Sequence, residues 1–134
     1  MIGAALSAAV QASPIWPVLM SAGFASLPVL LAAFAAIPLA AALYLPNSIF
    51  VVMAAQVLAP TALGQDHATA LGLALCIGWA VAICVNPISA MSLITGRLCG
   101  VPPSRVAHRW NLRFALAVTA CGALLITAVY RLGI

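Results

Sequence analysis

ATALGLALCIGWAVAICVNPISAMSLITG, residues 68–96, carries no charged side chain, yet Asn86-Pro87-Ile88-Ser89 interrupts it. The rest of the stretch reads as a membrane span. Proline removes a backbone donor, and its ring clashes with the carbonyl four residues earlier. In hydrocarbon a freed carbonyl is costly unless protein, water or a ligand satisfies it. A chain that needed only an anchor gains nothing from such a break. Membrane transporters use broken helices to hold ions and substrates at mid-depth, so solute transport is the expected function.

The whole chain shares this character. Its residues are 66% hydrophobic and 4% charged. Asp66 is the one acid, lysine is absent, and Met1 to Gln65 is free of charge. Such a segment lacks the charged face of a soluble protein. Apolar runs beyond about 18 residues are span candidates. The blocks are continuous and rich in Ala, Leu and Gly, without the period-two alternation of a β-barrel. No Lys or Arg precedes the first block, as a signal peptide would require. Cys76, Cys84, Cys99 and Cys121 form no C-x-x-C pair. They read as small buried hydrophobes, with no disulfide framework and no metal site.

The expected fold is an all-α integral membrane protein, a polytopic helical bundle with a broken helix and a re-entrant hairpin. Spans are expected at about 18–45, 68–96 and 114–130. Met1 to Ala12 is too short to span, and Pro14 and Pro17 end it. Within 18–45, Ser26 suits a helix N-cap with Pro28 in the first turn, so two elements are favoured, the second ending near Tyr44. Pro46-Asn47-Ser48 opens an apolar run that stops at Pro60; the re-entrant segment is expected over 46–60. Thr61 to His67 reads as a polar loop. Ala74, Gly78 and Ala82 share one face of the next helix, a small-residue stripe suited to close packing in lipid. Ala115, Thr119, Ala123 and Thr127 share a face of the last span, and Trp79 is expected to pack against a neighbouring helix.

Arg97, Arg105, Arg109 and Arg113 cluster between two apolar blocks, with Arg131 alone near the end. A nucleic-acid surface is one meaning of an arginine cluster; between spans, the positive-inside rule is the better one. Residues 97–113 are therefore expected in the cytoplasm of a bacterium and the C-terminus in the periplasm, across the inner membrane. Ser104 suits an N-cap. Arg105, Arg109 and Arg113 then form a basic stripe beside Val106, Trp110 and Phe114, an interfacial helix over 104–113. These arginines and Trp110 are the expected interface anchors. Tyr44 and Tyr130 are expected at outer ends, and His108 at the surface.

The chemistry expected of the chain rests on its two breaks. Asn86 suits the N-cap and Pro87 the first position of a second half-helix. Its free N–H groups and positive dipole end could hold an anion, while the carbonyls ending the preceding half-helix could hold Na⁺. Asn47, Ser48, Asn86, Pro87, Ser89 and Ser92 are the expected lining of a solute or ion pathway. A simple proline kink is the alternative. Asp66-His67 offers a proton-coupling pair. No cofactor is expected, and Na⁺ or H⁺ coupling stays open. No enzyme motif occurs: no G-x-S-x-G, H-E-x-x-H, phosphate loop or carboxylate pair.

Gly78-Trp79, Asn86-Pro87-Ile88-Ser89-Ala90, Gly100-Val101-Pro102-Pro103-Ser104 and Arg109-Trp110-Asn111 together resemble the C-terminal region of bacterial permeases of the ion transporter superfamily. That group includes divalent-anion/Na⁺ symporters, large TRAP-type subunits, and arsenite or citrate permeases. The resemblance covers roughly residues 40 to 114. It implies inverted repeats, a hairpin over Pro46–Pro60 and an unwound point from Asn86 to Ser89. The Ser-Asn-Thr hairpin-tip signature of the divalent-anion symporters is absent, so neither a carboxylate substrate nor Na⁺ coupling carries over. A transporter of this kind needs a second repeat. The charge-free start reads as mid-protein sequence, and the expected partners are the bilayer, a small solute (an anion among the options), and a second half or a second copy. The rival expectation is a small non-transporting membrane subunit that packs in a complex.

Overall fold

Helix-forming Ala and Leu fill the apolar blocks, and Pro, Gly, Asn and Ser punctuate them. The computed structural model describes residues 2–20 and 26–133. Residues 21–25, near the start of the expected 18–45 span, lie outside them. Every regular element among the described residues is helical: α1 (Ile2–Gln11), α2 (Trp16–Leu19), α3 (Leu27–Ala42), α4 (Asn47–Leu58), α5 (Ala62–Asp66), α6 (Ala68–Val85), α7 (Ala90–Cys99), α8 (Pro103–Arg105) and α9 (Leu112–Leu132). A π-helical turn, Val106–Trp110, joins α8 to the Asn111 bend before α9. Among the described residues two stretches are long and apolar enough to cross a membrane, Ala68–Cys99 and Leu112–Leu132.

The core lies among α3, α6 and α9. Leu30 and Phe34 pack with Leu71, Ala74 and Ile126. Ile37 and Ala41 pack with Val81, Val85 and Ala115. These partners make α3 parallel to α6 and α9 antiparallel to both. The α3–α6 contact is close because Ala74, Gly78 and Ala82 are all buried on it. Pro38 leaves the Phe34 carbonyl without its helical N–H. That carbonyl faces Gly78, where a Cβ would lie 3.3 Å away. The small-residue face thus meets α3 where the proline has opened its backbone.

Two contacts set the height of the bundle. His67 stacks on Tyr130, ring centroids 4.0 Å apart. Near the other end, the Asn111 side chain donates to the Cys84 carbonyl at 2.9 Å. By helical rise α6 is about 27 Å long and α9 about 31 Å, so the two run side by side over nearly their whole lengths. The 68–96 stretch is therefore not one span broken at its middle. The break follows the end of α6, level with the start of α9. Residues 86–111 close this end, which carries four arginines and is called the basic end below.

Several expectations are corrected. The segment expected to be re-entrant, 46–60, holds one described helix, α4. It leaves the basic end at Leu45 and reaches Leu58, which packs with Leu30, Leu63 and Ala70. The polar loop 61–67 winds into α5, held by bonds from Thr61 Oγ1 to the Leu58 carbonyl and from Gln65 Nε2 to the Ala59 carbonyl. Tyr44 and Tyr130 do not share an end: Tyr44 meets His108 edge-on at the basic end. Trp79 is 46% exposed and is not buried against a neighbour. Cys76, Cys99 and Cys121 are exposed rather than buried. On α9 Ala115 is buried together with Gly122 and Ile126, while Thr119, Ala123 and Thr127 are half-buried and Ala123 packs against the core. The Thr119 and Thr127 hydroxyls donate to carbonyls four residues back in their own helix.

Candidate functional site: the junction of two helix breaks

Pro87 has no N–H for the Ile83 carbonyl. The next two N–H groups turn away as well: that of Ile88 donates to Asn86 Oδ1 at 3.0 Å and that of Ser89 to the Asn86 carbonyl. Three carbonyls of α6 therefore lose their helical donors, those of Ile83, Cys84 and Val85. Asn111 takes the Cys84 carbonyl. No donor among the described residues reaches the other two.

Asn86 is buried, and both ends of its side-chain amide are used. While Oδ1 holds Ile88, Nδ2 donates to the Leu45 carbonyl at 3.2 Å. Leu45 directly precedes Pro46-Asn47-Ser48, so one side chain ties the two breaks together across forty-one positions. The turn before Pro46 closes tightly, and Tyr44 there takes the left-handed conformation at φ 65°.

Asn86 caps the end of α6 and is not the N-cap of the second half-helix; Pro87 accordingly lies in the turn. Ser89 is that N-cap. Its hydroxyl oxygen accepts from the Ser92 N–H at 3.2 Å and donates to Ser92 Oγ at 3.1 Å. An Asn-Pro pair favours the N-cap and N1; here Asn86 is held by a partner forty-one residues away instead. Ser92 is buried and Ser89 half-buried. Asn47 and Ser48 form the first turn of α4, half-buried and exposed respectively. Asn47's side chain bonds to no described residue.

The basic segment differs from its expected form. Pro102 caps α8, with Ser104 inside its first turn. The π turn then shifts the helical phase, and the Asn111 N–H returns to the Val106 carbonyl five residues back. Val106 and Ala107 are buried, while Trp110 and Phe114 face outward. Arg97, Arg105, Arg109 and Arg113 are all exposed. His108 is half-buried, its Nε2 enclosed without a hydrogen-bond partner. At the opposite end Asp66 is exposed, and His67 holds Tyr130 rather than Asp66.

Asn111 was missed in the sequence. Its signal was indirect: a polar residue just before the last apolar helix, able to cap something other than its own helix. Fold and site together define a chain whose described residues are all-helical, with two apolar stretches of spanning length among them and two helix breaks joined at one end. Compared with protein-family models, with curated proteins and with solved structures, the chain matches none.

Proposed function

We propose that the chain is a multi-pass protein of the bacterial inner membrane and forms part of a secondary transporter for a small solute or ion. Membrane residence is supported by apolar surface facing outward. A soluble core helix is mostly buried, but the most apolar windows of the two candidate spans are 39% and 17% buried. The basic end, with residues 97–113, faces the cytoplasm, and the C-terminus faces the periplasm, in keeping with the positive-inside rule. Cys99 is exposed and serves as a reporter. An impermeant thiol reagent is expected to modify it in inverted vesicles and not in intact cells; modification from the periplasmic side alone would reverse this orientation.

The observation that carries transport is the Asn86–Leu45 bond. It brings Asn86, Pro87, Ser89 and Ser92 to the turn that leads into Asn47 and Ser48. Two carbonyls that no donor among the described residues reaches, of Ile83 and Val85, lie beside them. Such groups suit a cation or a polar solute entering at the cytoplasmic face. A second half or a second copy would complete the pathway. Asn47→Ala removes no described side-chain hydrogen bond, and Ser89→Thr keeps the capping oxygen that Ser89→Ala deletes. In proteoliposomes given sulfate, phosphate or citrate with Na⁺ or pH gradients, uptake is expected to fall about tenfold in Asn47→Ala and Ser89→Ala and to persist in Ser89→Thr. Full uptake in both alanine variants would remove the site.

The second reading, a non-transporting membrane subunit, is favoured by the position of the break. It lies at the end of α6, where Asn86 and Asn111 seal part of it. On that reading the outward faces of α7 and α9 meet partner helices.

A further inference from the structure

Four arginines gather at the basic end, where no acidic side chain of the described residues meets them. Asp66, the chain's one acid, belongs to the opposite end. Exposed as they are, the arginines are open to a counterpart from outside the chain. Arg105 and Arg109 line an open cavity of about 420 Å³ with Ser104, Pro102 and His108. This set of donors suits a phosphate: two guanidinium forks, a hydroxyl, and an imidazole.

A second cavity of about 240 Å³ lies next to it, and His108 lines both. The second is almost wholly apolar, formed by Pro38, Leu39 and Ala42 of α3 with Leu112, Ala115 and Leu116 of α9. Leu39 and Leu116 are largely exposed, so this groove opens on the side that faces lipid in the membrane reading. A free phosphate would use the first cavity and leave the second empty. A soluble apolar molecule would do the reverse. A molecule with a phosphate at one end and a hydrocarbon chain at the other uses both, with His108 at the join.

We propose that these two cavities form one site for an anionic phospholipid of the inner leaflet, its phosphate on Arg105, Arg109 and Ser104 and an acyl chain in the α3–α9 groove. The site rests on the membrane part of the proposed function and is independent of transport. Basic pockets on the cytoplasmic side of membrane helices favour anionic headgroups.

The test uses the full chain in detergent micelles, with bound lipid counted by native mass spectrometry. The probes are dioleoylphosphatidylglycerol, dioleoylphosphatidylcholine, dioleoylglycerol and water-soluble glycerol phosphate. Phosphatidylglycerol is expected to bind at least about tenfold more tightly than the other three. The Arg105→Gln/Arg109→Gln protein is expected to lose about thirtyfold in affinity for it. Ala42→Leu, which fills the groove, is expected to weaken phosphatidylglycerol and leave glycerol phosphate unchanged. Equal binding of phosphatidylglycerol and glycerol phosphate would make this a free-phosphate site and overturn the lipid assignment. Unchanged affinity in the arginine variant would overturn it as well. Melting curves of both variants show whether they are folded; if the arginine variant is not, Arg105→Lys/Arg109→Lys replaces it, where loss of the fork geometry is still expected to lower affinity. Carbonate extraction of native membranes separates the two levels of inference. A chain retained in the membrane without preference for phosphatidylglycerol overturns the lipid site alone, whereas a chain released by carbonate overturns the membrane reading beneath it.

Discussion

Gly64→Ala is expected to lower stability by about 3 kcal/mol, whereas Gly72→Ala is expected to raise it by about 0.5–1 kcal/mol. The chemical change is the same, and the surroundings reverse its sign. A Cβ on Gly64 would fall on the backbone of Ala59, at the carbonyl oxygen and Cα. The obstacle is main chain at the end of α4, so no rotamer change relieves it. The Ala59 carbonyl also accepts from Gln65 Nε2, and moving it breaks that bond. At Gly72, in the exposed face of α6, a Cβ meets nothing within 4 Å. Alanine there gains only the lower conformational entropy of the unfolded chain. Melting in detergent, followed by circular dichroism, should fall by roughly 10 °C for Gly64→Ala and rise by a few degrees for Gly72→Ala. Equal melting temperatures would show that α5 does not pack on the end of α4 as described.

Asn86→Ala is expected to cost about 2–4 kcal/mol, because it strands two backbone groups at once. The Leu45 carbonyl loses its donor and the Ile88 N–H its acceptor. Neither has a second partner among the described residues. The loss is local as well as global: the turn before α4 is released from the end of α6. Hydrogen exchange at the Ile88 amide should quicken, and melting should fall. An Ile88 amide no faster than in the parent protein would mean that Asn86 does not hold this turn. Asn86 is thus a poor residue on which to test transport, since its removal disturbs the fold. Asn47 and Ser89 are better ones.

The break itself was legible in the sequence. Proline inside an apolar run must free a carbonyl wherever the chain folds, and Asn and Ser beside it are the side chains that answer such groups. The start of α3 was legible for the same local reason, with Ser26 before the first turn and Pro28 within it. The face made by Ala74, Gly78 and Ala82 followed from helical spacing, and it is the face α3 covers. The use made of Asn86 was not legible. Local preference places Asn-Pro at a helix start, but Leu45, brought alongside by the α3–α6 contact, captures the amide first. The fate of Tyr44, Trp79 and His108 was hidden for a related cause. Which end or side a residue occupies depends on whether neighbouring helices run parallel, and hydropathy carries no such information.

Composition and the order of apolar and polar residues, which act through neighbours along the chain, determined that the protein is helical, apolar and interrupted at 46–48 and 86–89. The tertiary structure decided that the break lies level with the start of α9, at one end of the bundle. It also decided that the two breaks meet, and that the cavity lined by Arg105 and Arg109 shares His108 with an apolar groove. These features arise from contacts between segments tens of residues apart. Their geometry is set by the packing of Phe34 and Ile37 on Gly78, which no local pattern specifies.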